Sequence, residues 1–454
     1  MPDIVLVILA VIFVLGIAIN IHEFGHFIVA KLFGMRVEAY SFFGLGPRIW
    51  GFKVGHTDYR ISAIPLGAYV KLYGDEATAP LEGGDSGAEI VPAEELYELR
   101  PRWQKFLVMV GGPFMNIVLA LGIPFVGALI YGVPSMPAPI VGITDNGGAA
   151  QVSGIKAGDR IIALNGVENP TWEAVRDESL ISPGRPIQMT VDRGGTKIPV
   201  TVTPSEDVID GNKIGNLGMR PDMGVEPVVA GTVVPDSPAA QAGLQVGDKV
   251  IAFNGETVRN SQELTLQIRE NKDAPGKLTV ERNGERLELT TQAQANDKGV
   301  YMIGAGFGAA TVTTRVPVGI SGAAAFAYDA NMRILRLTGR VFGQMFSGER
   351  SVRDAGLAGP VGIVQMIANV VREAGFAGLF PILMVISLNL GIFNLLPIPL
   401  LDGGQIMVLG IEKVMSWFGR TLSMAVKEKI QFAGLGIILL LMVFTLFLDI
   451  SRLF

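Results

Sequence analysis

Two histidines and a glutamate lie inside one of the most apolar stretches of the chain. The stretch begins DIVLVILAVIFVLGIAI and continues NIHEFGHFI, so His22, Glu23 and His26 fall within a segment suited to lipid. In a helix, residues four apart project from one face about one turn apart, and two imidazoles at that spacing can share a metal ion. Glu23 lies beside them, where a carboxylate can accept a proton from water. The pattern H-E-x-x-H therefore predicts a metal site with its own base.

These polar residues also have a simpler interpretation, as buried groups that bind neighbouring helices. Ionisable groups cost about 2.5 kcal/mol or more at the centre of a membrane span, however, and usually mark a functional site. The chain has three histidines and no cysteine, which excludes disulfides, thiolate nucleophiles and cysteine metal sites. A metal ion must therefore be held by His, Asp or Glu. The third histidine, His56 in GHTDY, is interpreted as a loop residue.

A catalytic zinc site needs a third protein ligand and an open position for water. The candidate is Asp402, in the segment NLLPIPLLDGGQI at residues 394–406. Pro397 and Pro399 interrupt any helix there, and irregular backbone survives at membrane depth only when it is buried in protein or lines a wet cavity. Asp402 could instead cap the helix predicted to begin at this point.

The elements that position these residues are expected to be membrane-spanning helices. The chain has 454 residues, of which 49% are hydrophobic and 17% charged, and its mean hydropathy is +0.42. This is too apolar for an ordinary soluble protein. Apolar segments of about 20 residues or more, long enough to cross a bilayer, lie at 4–30, 105–131, 377–396 and 429–448. A net charge of −5 provides no basic surface for nucleic acid.

Lysines and arginines concentrate in the two loops that follow the first and third spans. The positive-inside rule places such loops in the cytoplasm and both chain termini on the outer side. The HEFGH end of the first span and the LDGG end of the third would then lie on the same, cytoplasmic side. An oxygen ligand from Asp402 can therefore meet His22 and His26.

The region between the second and third spans contains an internal repeat. GIKAGDRIIALNG begins at Gly154 and GLQVGDKVIAFNG at Gly243, and each copy is followed by a run typical of a β-hairpin. The copies resemble PDZ domains, whose GDxIxxxNG run they match, and they predict two tandem modules at 135–206 and 222–308. The resemblance implies contact with an extended peptide. Alternatively, the modules are spacers.

Two further segments show recognisable patterns. Residues 317–350 alternate arginines and apolar residues at helical spacing, which predicts an amphipathic helix on the outer membrane surface or against the spans. Residues 33–104, between the first two spans, include YRISAI and AYVKLY, whose alternation is typical of strands. An edge of such strands could pair with an unwound substrate.

These motifs together resemble the site-2 protease family of intramembrane zinc metalloproteases. HEFGH matches the family's H-E-x-x-H, LDG at 401–403 matches its second signature, and GGPFMN at 111–116 is similar to its G-x-x-x-N/S/G element. Four spans with two tandem PDZ modules after the second is the layout of a family member from Gram-negative bacteria. The resemblance implies cleavage, inside the bilayer, of single-pass membrane proteins from which a first protease has removed most of the outer domain.

The resemblance also implies a role for each matching residue. His22, His26 and Asp402 would bind Zn²⁺, and Glu23 would serve as the catalytic base.

Two asparagines take less specific roles from the same resemblance. Asn394 would hold the extended backbone of the substrate, and Asn116 would share that role. The alternative for each is a polar side chain that ties two helices together. Gly111 and Gly112 are expected to allow close helix packing.

The implied partners are single-pass membrane proteins, such as an anti-sigma factor in envelope stress signalling and signal-peptide remnants, together with the lipid bilayer. The implied location is the bacterial inner membrane, with the PDZ modules in the periplasm. Residues 33–104 would hold a membrane-associated β-hairpin region on the cytoplasmic side.

The sequence thus predicts a multi-pass α-helical membrane protein with four transmembrane helices, two tandem, mainly β PDZ domains and a membrane-associated β-hairpin region. Its predicted segments are the first span with HEFGH (1–32), the cytoplasmic-side loop (33–104), the second span (105–131), the two modules, the amphipathic helix (317–350), the third span with the LDG segment (377–410) and the fourth span (429–448).

Two other functions stay open. A membrane receptor or scaffold would use HEFGH and LDGG only to stabilise the bundle, although a structural metal site needs no base such as Glu23. A zinc protease of the soluble type with a membrane anchor would place its site in an aqueous domain, whereas HEFGH lies in the first span.

Overall fold

The chain contains long apolar helices at both ends and short strands in the middle. The computed structural model describes residues 3–64, 67–74, 91–135, 137–209, 212–296, 300–309, 315–354, 358–420 and 422–451. Part of the predicted cytoplasmic loop, residues 75–90, lies outside these described residues. The described helices are α1 (Asp3–Leu32), α2 (Arg102–Tyr131), α3 (Ala149–Val152), α4 (Trp172–Ile181), α5 (Pro238–Gln241), α6 (Ser261–Asn271), α7 (Ile320–Phe346), α8 (Pro360–Ala374), α9 (Leu379–Asn394), α10 (Asp402–Trp417) and α11 (Met424–Ser451).

The strands fall into one group before α2 and a larger group after it. They are β1 (Val37–Phe43), β2 (Leu45–Val54), β3 (Thr57–Ile64), β4 (Tyr69–Leu72), β5 (Val133–Pro134), β6 (Val141–Thr144), β7 (Arg160–Leu164), β8 (Val167–Glu168), β9 (Ile187–Arg193), β10 (Thr196–Val202), β11 (Ser205–Ile209), β12 (Asn212–Asn216), β13 (Met219–Pro221), β14 (Val228–Val233), β15 (Lys249–Phe253), β16 (Glu256–Thr257), β17 (Pro275–Arg282), β18 (Glu285–Gln292), β19 (Gln294–Ala295), β20 (Tyr301–Met302), β21 (Ala305–Ala309) and β22 (Arg315–Val316).

Four of the described helices are long and apolar enough to cross a membrane, namely α1, α2, α9 with the short turn before it, and α11. These helices are the four that the sequence predicts, and the predicted class of membrane protein with a β-rich middle region is confirmed. The chain divides into two units, one formed by residues 1–130 with 318–454 and the other by residues 131–317.

The helical unit has its apolar core where α1 meets α8 and α9. Small residues of α1, such as Ala10 and Ala18, are fully buried against side chains that include Ile367 and Leu379. Small side chains let helix backbones approach closely, which is how helices associate where water provides no hydrophobic driving force. This packing holds α1, whose C-terminal half carries HEFGH, against its neighbours in the bundle.

A four-stranded sheet follows α1 in the order β2-β3-β1-β4. β2 and β3 form a hairpin whose turn contains His56, while β3 pairs with β1 in parallel and β4 pairs with β1 on the other side. The runs YRISAI and AYVKLY thus lie in two strands that are separated by β1. β2 is an edge strand with exposed apolar side chains, among them Ile49 and Trp50.

The unit of residues 131–317 consists of two similar β modules. The first contains the sheet β10-β9-β7-β8 and the pair β13-β6, and the second contains the sheet β18-β17-β15-β14-β21. Asn165 and Asn254, from the two copies of the repeated NG, adopt φ angles of 48° and 50° with glycine next to them. Such turns match the twist of a two-stranded hairpin.

Each repeated GD places a buried aspartate that accepts hydrogen bonds from an arginine. Arg193 donates to Asp159 through two bonds of 2.7 Å. Arg282 donates to Asp248 through two bonds of 2.6 Å. In both modules the arginine holds the pKa of the aspartate below its usual range. The two copies of the repeat therefore match in their hydrogen bonds as well as in their sequence.

The segment after the second module forms two helices. α7 packs on α2 through Asn331, whose side chain donates to the carbonyl of Ala120 at 3.1 Å. The start of α8 is bound by Asp449 of α11, whose two carboxylate oxygens each accept a backbone N–H at 2.9 Å, from Gly359 and Gly362. The amphipathic segment of α7 thus packs against a span within the helical unit.

Candidate metal centre

Side chains from two distant parts of the chain converge in the C-terminal half of α1. His22 Nε2 lies 3.1 Å from Asp402 Oδ2, and His26 Nε2 lies 3.4 Å from Asp402 Oδ1. The two histidine Nε2 atoms are 3.2 Å apart. One ligand atom from each of the three residues lies within 4.8 Å of the other two. The structure thus brings together the three residues that the sequence proposes as ligands.

The chemistry of this cluster fits a cation. Asp402 Oδ2 is buried and makes no hydrogen bond among the described residues, although His22 Nε2 lies close to it. Two imidazole nitrogens facing each other at 3.2 Å share at most one proton unless both rings are charged. Two imidazoles and a carboxylate are a common ligand set for catalytic zinc, with a further position open to water. The residues present therefore fit Zn²⁺.

Glycines let α1 and α2 approach closely at this point. A side chain at Gly25 would collide with the backbone of Gly111, and a side chain at Gly112 would collide with the ring of His26. The two histidine rings occupy the space that a residue larger than glycine would fill at position 112. The motifs HEFGH and GGPFMN are therefore complementary in shape where the helices cross.

The interrupted backbone before α10 directs Asp402 towards the histidines. Leu400 adopts a φ of 79°, an uncommon conformation for a residue with a side chain. Leu401 is the N-cap of α10 and provides no side-chain capping bond, so Asp402 is the first helical residue and its carboxylate faces the histidines. Gly403 and Gly404 lie against the carbonyls of Leu395 and Ile398, where a Cβ would collide.

Main-chain oxygen from α2 orients one of the histidines. His26 Nδ1 lies 2.7 Å from the carbonyl oxygen of Val108. A proton on Nδ1 that is donated to this carbonyl leaves the lone pair of Nε2 free for a metal. Sequence reasoning missed this contact because a backbone carbonyl carries no side-chain signal.

Glu23 is half-buried between His22 and the sheet. Its carboxylate interacts with both histidines, with Asp402 and with the backbone N–H of Val70 in β4. Tyr40 in β1 is close enough to Glu23 to interact electrostatically. The carboxylate is therefore positioned beside the histidine cluster by the strand that borders it.

The two asparagines named from the sequence both contact His22. Asn394, the last residue of α9, places Nδ2 3.2 Å from His22 Nε2, and Asn116 in α2 places Nδ2 3.3 Å from His22 Nδ1. Asn394 is half-buried, whereas Asn116 is fully buried. Asn394 is therefore at the edge of the cluster, where a bound chain could reach it, and Asn116 lies behind it.

The arrangement can perform hydrolysis assisted by a metal ion. It combines three ligand groups, a carboxylate that can accept a proton, and an amide beside the cluster that can bind a peptide. His56 lies in the turn between β2 and β3, and it does not belong to the cluster.

Comparison with known proteins matches residues 10–441 to Peptidase family M50. The chain is 32% identical to the regulator of sigma-E protease of Escherichia coli over 97% of both chains, and 30% identical to the regulator of sigma E protease of Haemophilus influenzae over 97% of this chain and 98% of the other. A Vibrio cholerae relative described as a zinc metalloprotease is 31% identical over the whole of both chains. The PDZ domain of an SdrC-like protein from Listeria innocua is 26% identical over 18% of this chain and 93% of that domain, with a TM-score of 0.17.

Proposed function

Because this chain belongs to peptidase family M50 and is a zinc metalloprotease of the site-2 type, we propose that it cuts single-pass membrane proteins within their transmembrane segments. His22, His26 and Asp402 bind the zinc ion in this proposal, and Glu23 is the catalytic base. The observation that carries the proposal is the convergence of these three ligands at the end of a membrane helix, with Glu23 beside them.

Zinc, when bound, polarises the scissile carbonyl and lowers the pKa of water. Glu23 accepts the proton of the attacking water and later delivers it to the leaving nitrogen of the substrate. His22 and His26 keep their Nε2 lone pairs directed towards the centre, and Asp402 adds a negative charge that offsets the positive ion.

The substrate must lose helical structure before it can be cut, because the amides of a helix are bonded to one another. Asn394 is placed to bind a carbonyl or N–H of such an extended segment, since it ends α9 beside His22. The backbone of Val70 in β4 contacts Glu23, so this edge strand offers backbone groups next to the base.

The names of the relatives suggest the biological context of this reaction. We propose that the substrates include an anti-sigma factor already shortened by a first protease, and signal-peptide remnants, in envelope stress signalling. The enzyme would lie in the inner membrane of a bacterium with its site towards the cytoplasm. The PDZ modules and both termini would face the periplasm, as the distribution of basic residues indicates.

The test compares purified wild type with Glu23→Gln on a single-pass reporter that lacks its outer domain. Glutamine has nearly the same shape as glutamate and accepts no proton, so we expect cleavage by wild type alone. Both proteins should retain about one zinc ion per chain, since Glu23 is not a ligand.

Each other outcome points elsewhere. Zinc in both proteins without cleavage of any shortened reporter would favour the receptor or scaffold, whose metal only stabilises the bundle. Absence of zinc from both would contradict the metal site itself. Cleavage by Glu23→Gln at the wild-type rate would assign the base to another group.

A further inference from the structure

The ring of His22 contacts a carboxamide at each of its two nitrogens. Asn116 Nδ2 lies 3.3 Å from Nδ1, and Asn394 Nδ2 lies 3.2 Å from Nε2. A neutral imidazole has one lone pair and one N–H, so it cannot accept hydrogen bonds from two amide NH₂ groups at once. One of the two asparagines must therefore present its oxygen to His22.

Asn116 is the asparagine whose oxygen needs a partner. It is 0% exposed, and its Oδ1 makes no hydrogen bond among the described residues. The oxygen and nitrogen of a carboxamide are interchanged by a half-turn of the group, and the hydrogen-bond network decides between the two orientations. The half-turn places Oδ1 of Asn116 opposite His22 Nδ1. The amide oxygen then has a donor, and the Nδ1–H of His22 has an acceptor. When Nε2 of His22 binds the metal, its lone pair is occupied, and the NH₂ group of Asn394 is left to bind another acceptor such as a substrate carbonyl.

His26 also faces an oxygen acceptor at Nδ1, but this acceptor is a backbone carbonyl and not a side chain. There, the carbonyl oxygen of Val108 lies 2.7 Å from Nδ1. A histidine that binds a metal through Nε2 commonly donates its other N–H to an oxygen acceptor, which fixes the orientation of the ring. Both histidines of the centre would then donate from Nδ1 to an oxygen of α2, and the two acceptors, at Val108 and Asn116, lie eight residues apart in that helix.

We propose that Asn116 is a positioning residue for the metal centre, which accepts the Nδ1–H of His22 through its carboxamide oxygen and so directs Nε2 of His22 to the zinc ion. This inference rests on the proposed function, because it assumes zinc at His22, His26 and Asp402. In this inference Asn116 orients a zinc ligand, and Asn394 alone contacts the substrate.

The backbone of Asn116 has a separate role, which a substitution of the side chain leaves intact. Its carbonyl accepts a hydrogen bond of 3.0 Å from the hydroxyl of Ser387 in α9. The contact between α2 and α9 therefore does not depend on the carboxamide. A change at Asn116 that preserves volume should accordingly keep the helices together.

The test measures the zinc affinity of the full-length protein in detergent, by competition with a chelator of known affinity. Asn116→Asp keeps the size of asparagine, and Asn116→Leu keeps its branching with a larger side chain, but only aspartate can accept the Nδ1–H. We expect Asn116→Leu to bind zinc roughly 10–100-fold more weakly than wild type, and Asn116→Asp to bind it at least as tightly. Asn394→Ala is the matched control at the opposite nitrogen, and it should keep the wild-type affinity while cleavage of the reporter falls.

Zinc affinity separates failure of this inference from failure of the proposed function. Wild-type affinity in Asn116→Leu would overturn the positioning role while leaving the protease intact. Equal loss in Asn116→Asp and Asn116→Leu would also overturn it, since it would show that the NH₂ group is what matters. If Asn116→Leu does not fold, Asn116→Ala takes its place in the same comparison. A wild-type protein that binds no zinc would contradict the proposed function first.

Discussion

Replacement of Gly112 by alanine should disable the centre without unfolding the protein. The added Cβ would lie 2.8 Å from His22 Cε1 and would collide with His26 Nε2. Carbon atoms in contact normally stay about 3.5–4.0 Å apart. The ring of His22 would thus have to move by roughly 0.7–1.2 Å, unless α2 withdraws from α1. Withdrawal is opposed because Gly111 is in close backbone contact with Gly25.

The size of this movement sets the expected effect. Metal–ligand distances tolerate deviations of about 0.2 Å, so a shift several times larger should weaken zinc binding. Misplacement of catalytic groups by 1 Å can reduce the rate by roughly 100-fold. Overpacking of a well-packed region costs typically 1–3 kcal/mol, which a folded bundle can absorb. We therefore expect Gly112→Ala to fold, to bind zinc weakly and to lose at least about 100-fold in cleavage.

The assay measures zinc content, thermal stability and reporter cleavage for Gly112→Ala beside a matched control, Gly122→Ala. Gly122 lies in the same helix, and a Cβ there would meet nothing within 4 Å. The control should keep full zinc and full activity, with stability unchanged or raised by up to about 1 kcal/mol because alanine favours helix. Wild-type zinc content and cleavage in Gly112→Ala would refute the close packing of helix and histidines on which this reasoning depends.

Three further predictions concern stability. Asp248→Ala should destabilise the second β module by about 2–3 kcal/mol, because Arg282 loses its partner, and a thermal unfolding curve of the full protein would show an earlier transition. The pKa values of Asp159 and Asp248 are lowered on folding, so the stability that these ionised carboxylates contribute should be complete above about pH 4. This contribution should disappear as the pH falls through the lowered pKa values. Unfolding measured from pH 7 to pH 2 would contradict this if the stability stayed constant. Asp449→Ala should cost about 0.5–2 kcal/mol and speed amide exchange in the first turn of α8, and unchanged exchange there would show that the cap is dispensable.

The membrane helices and the candidate ligand residues could be predicted from the sequence because their signals are mostly local. Helical periodicity brings His22 and His26 to one face whatever the rest of the chain does. Apolar length alone identifies the spans. Asp402 required a topological argument as well, since it also stands where a helix cap would stand. The structure places Leu401 at the cap and the carboxylate of Asp402 beside the histidines, as the ligand hypothesis predicts.

The remaining features depend on contacts between distant segments, which a single sequence does not encode visibly. The carbonyl of Val108 acts through the backbone, so any residue at that position would provide it. The order of the sheet, with β1 between β3 and β4, follows from a parallel pairing that strand alternation does not reveal. The fit of Gly112 against the histidines requires the crossing of two helices, although the small-residue pair GG did indicate close packing.

The proposed ligands of the metal centre lie on either side of a long insertion, and this would affect when the protein becomes active during its synthesis. His22 and Asn394 are 372 residues apart in the chain, and Asp402 follows Asn394. At typical rates of translation, roughly 20–75 s separate the emergence of the two histidines from that of the carboxylate. Both β modules are made in that interval. With these proposed ligands, a nascent chain would have its pair of histidines in the membrane long before it could cut a substrate. The centre would be completed only after the two β modules had been made.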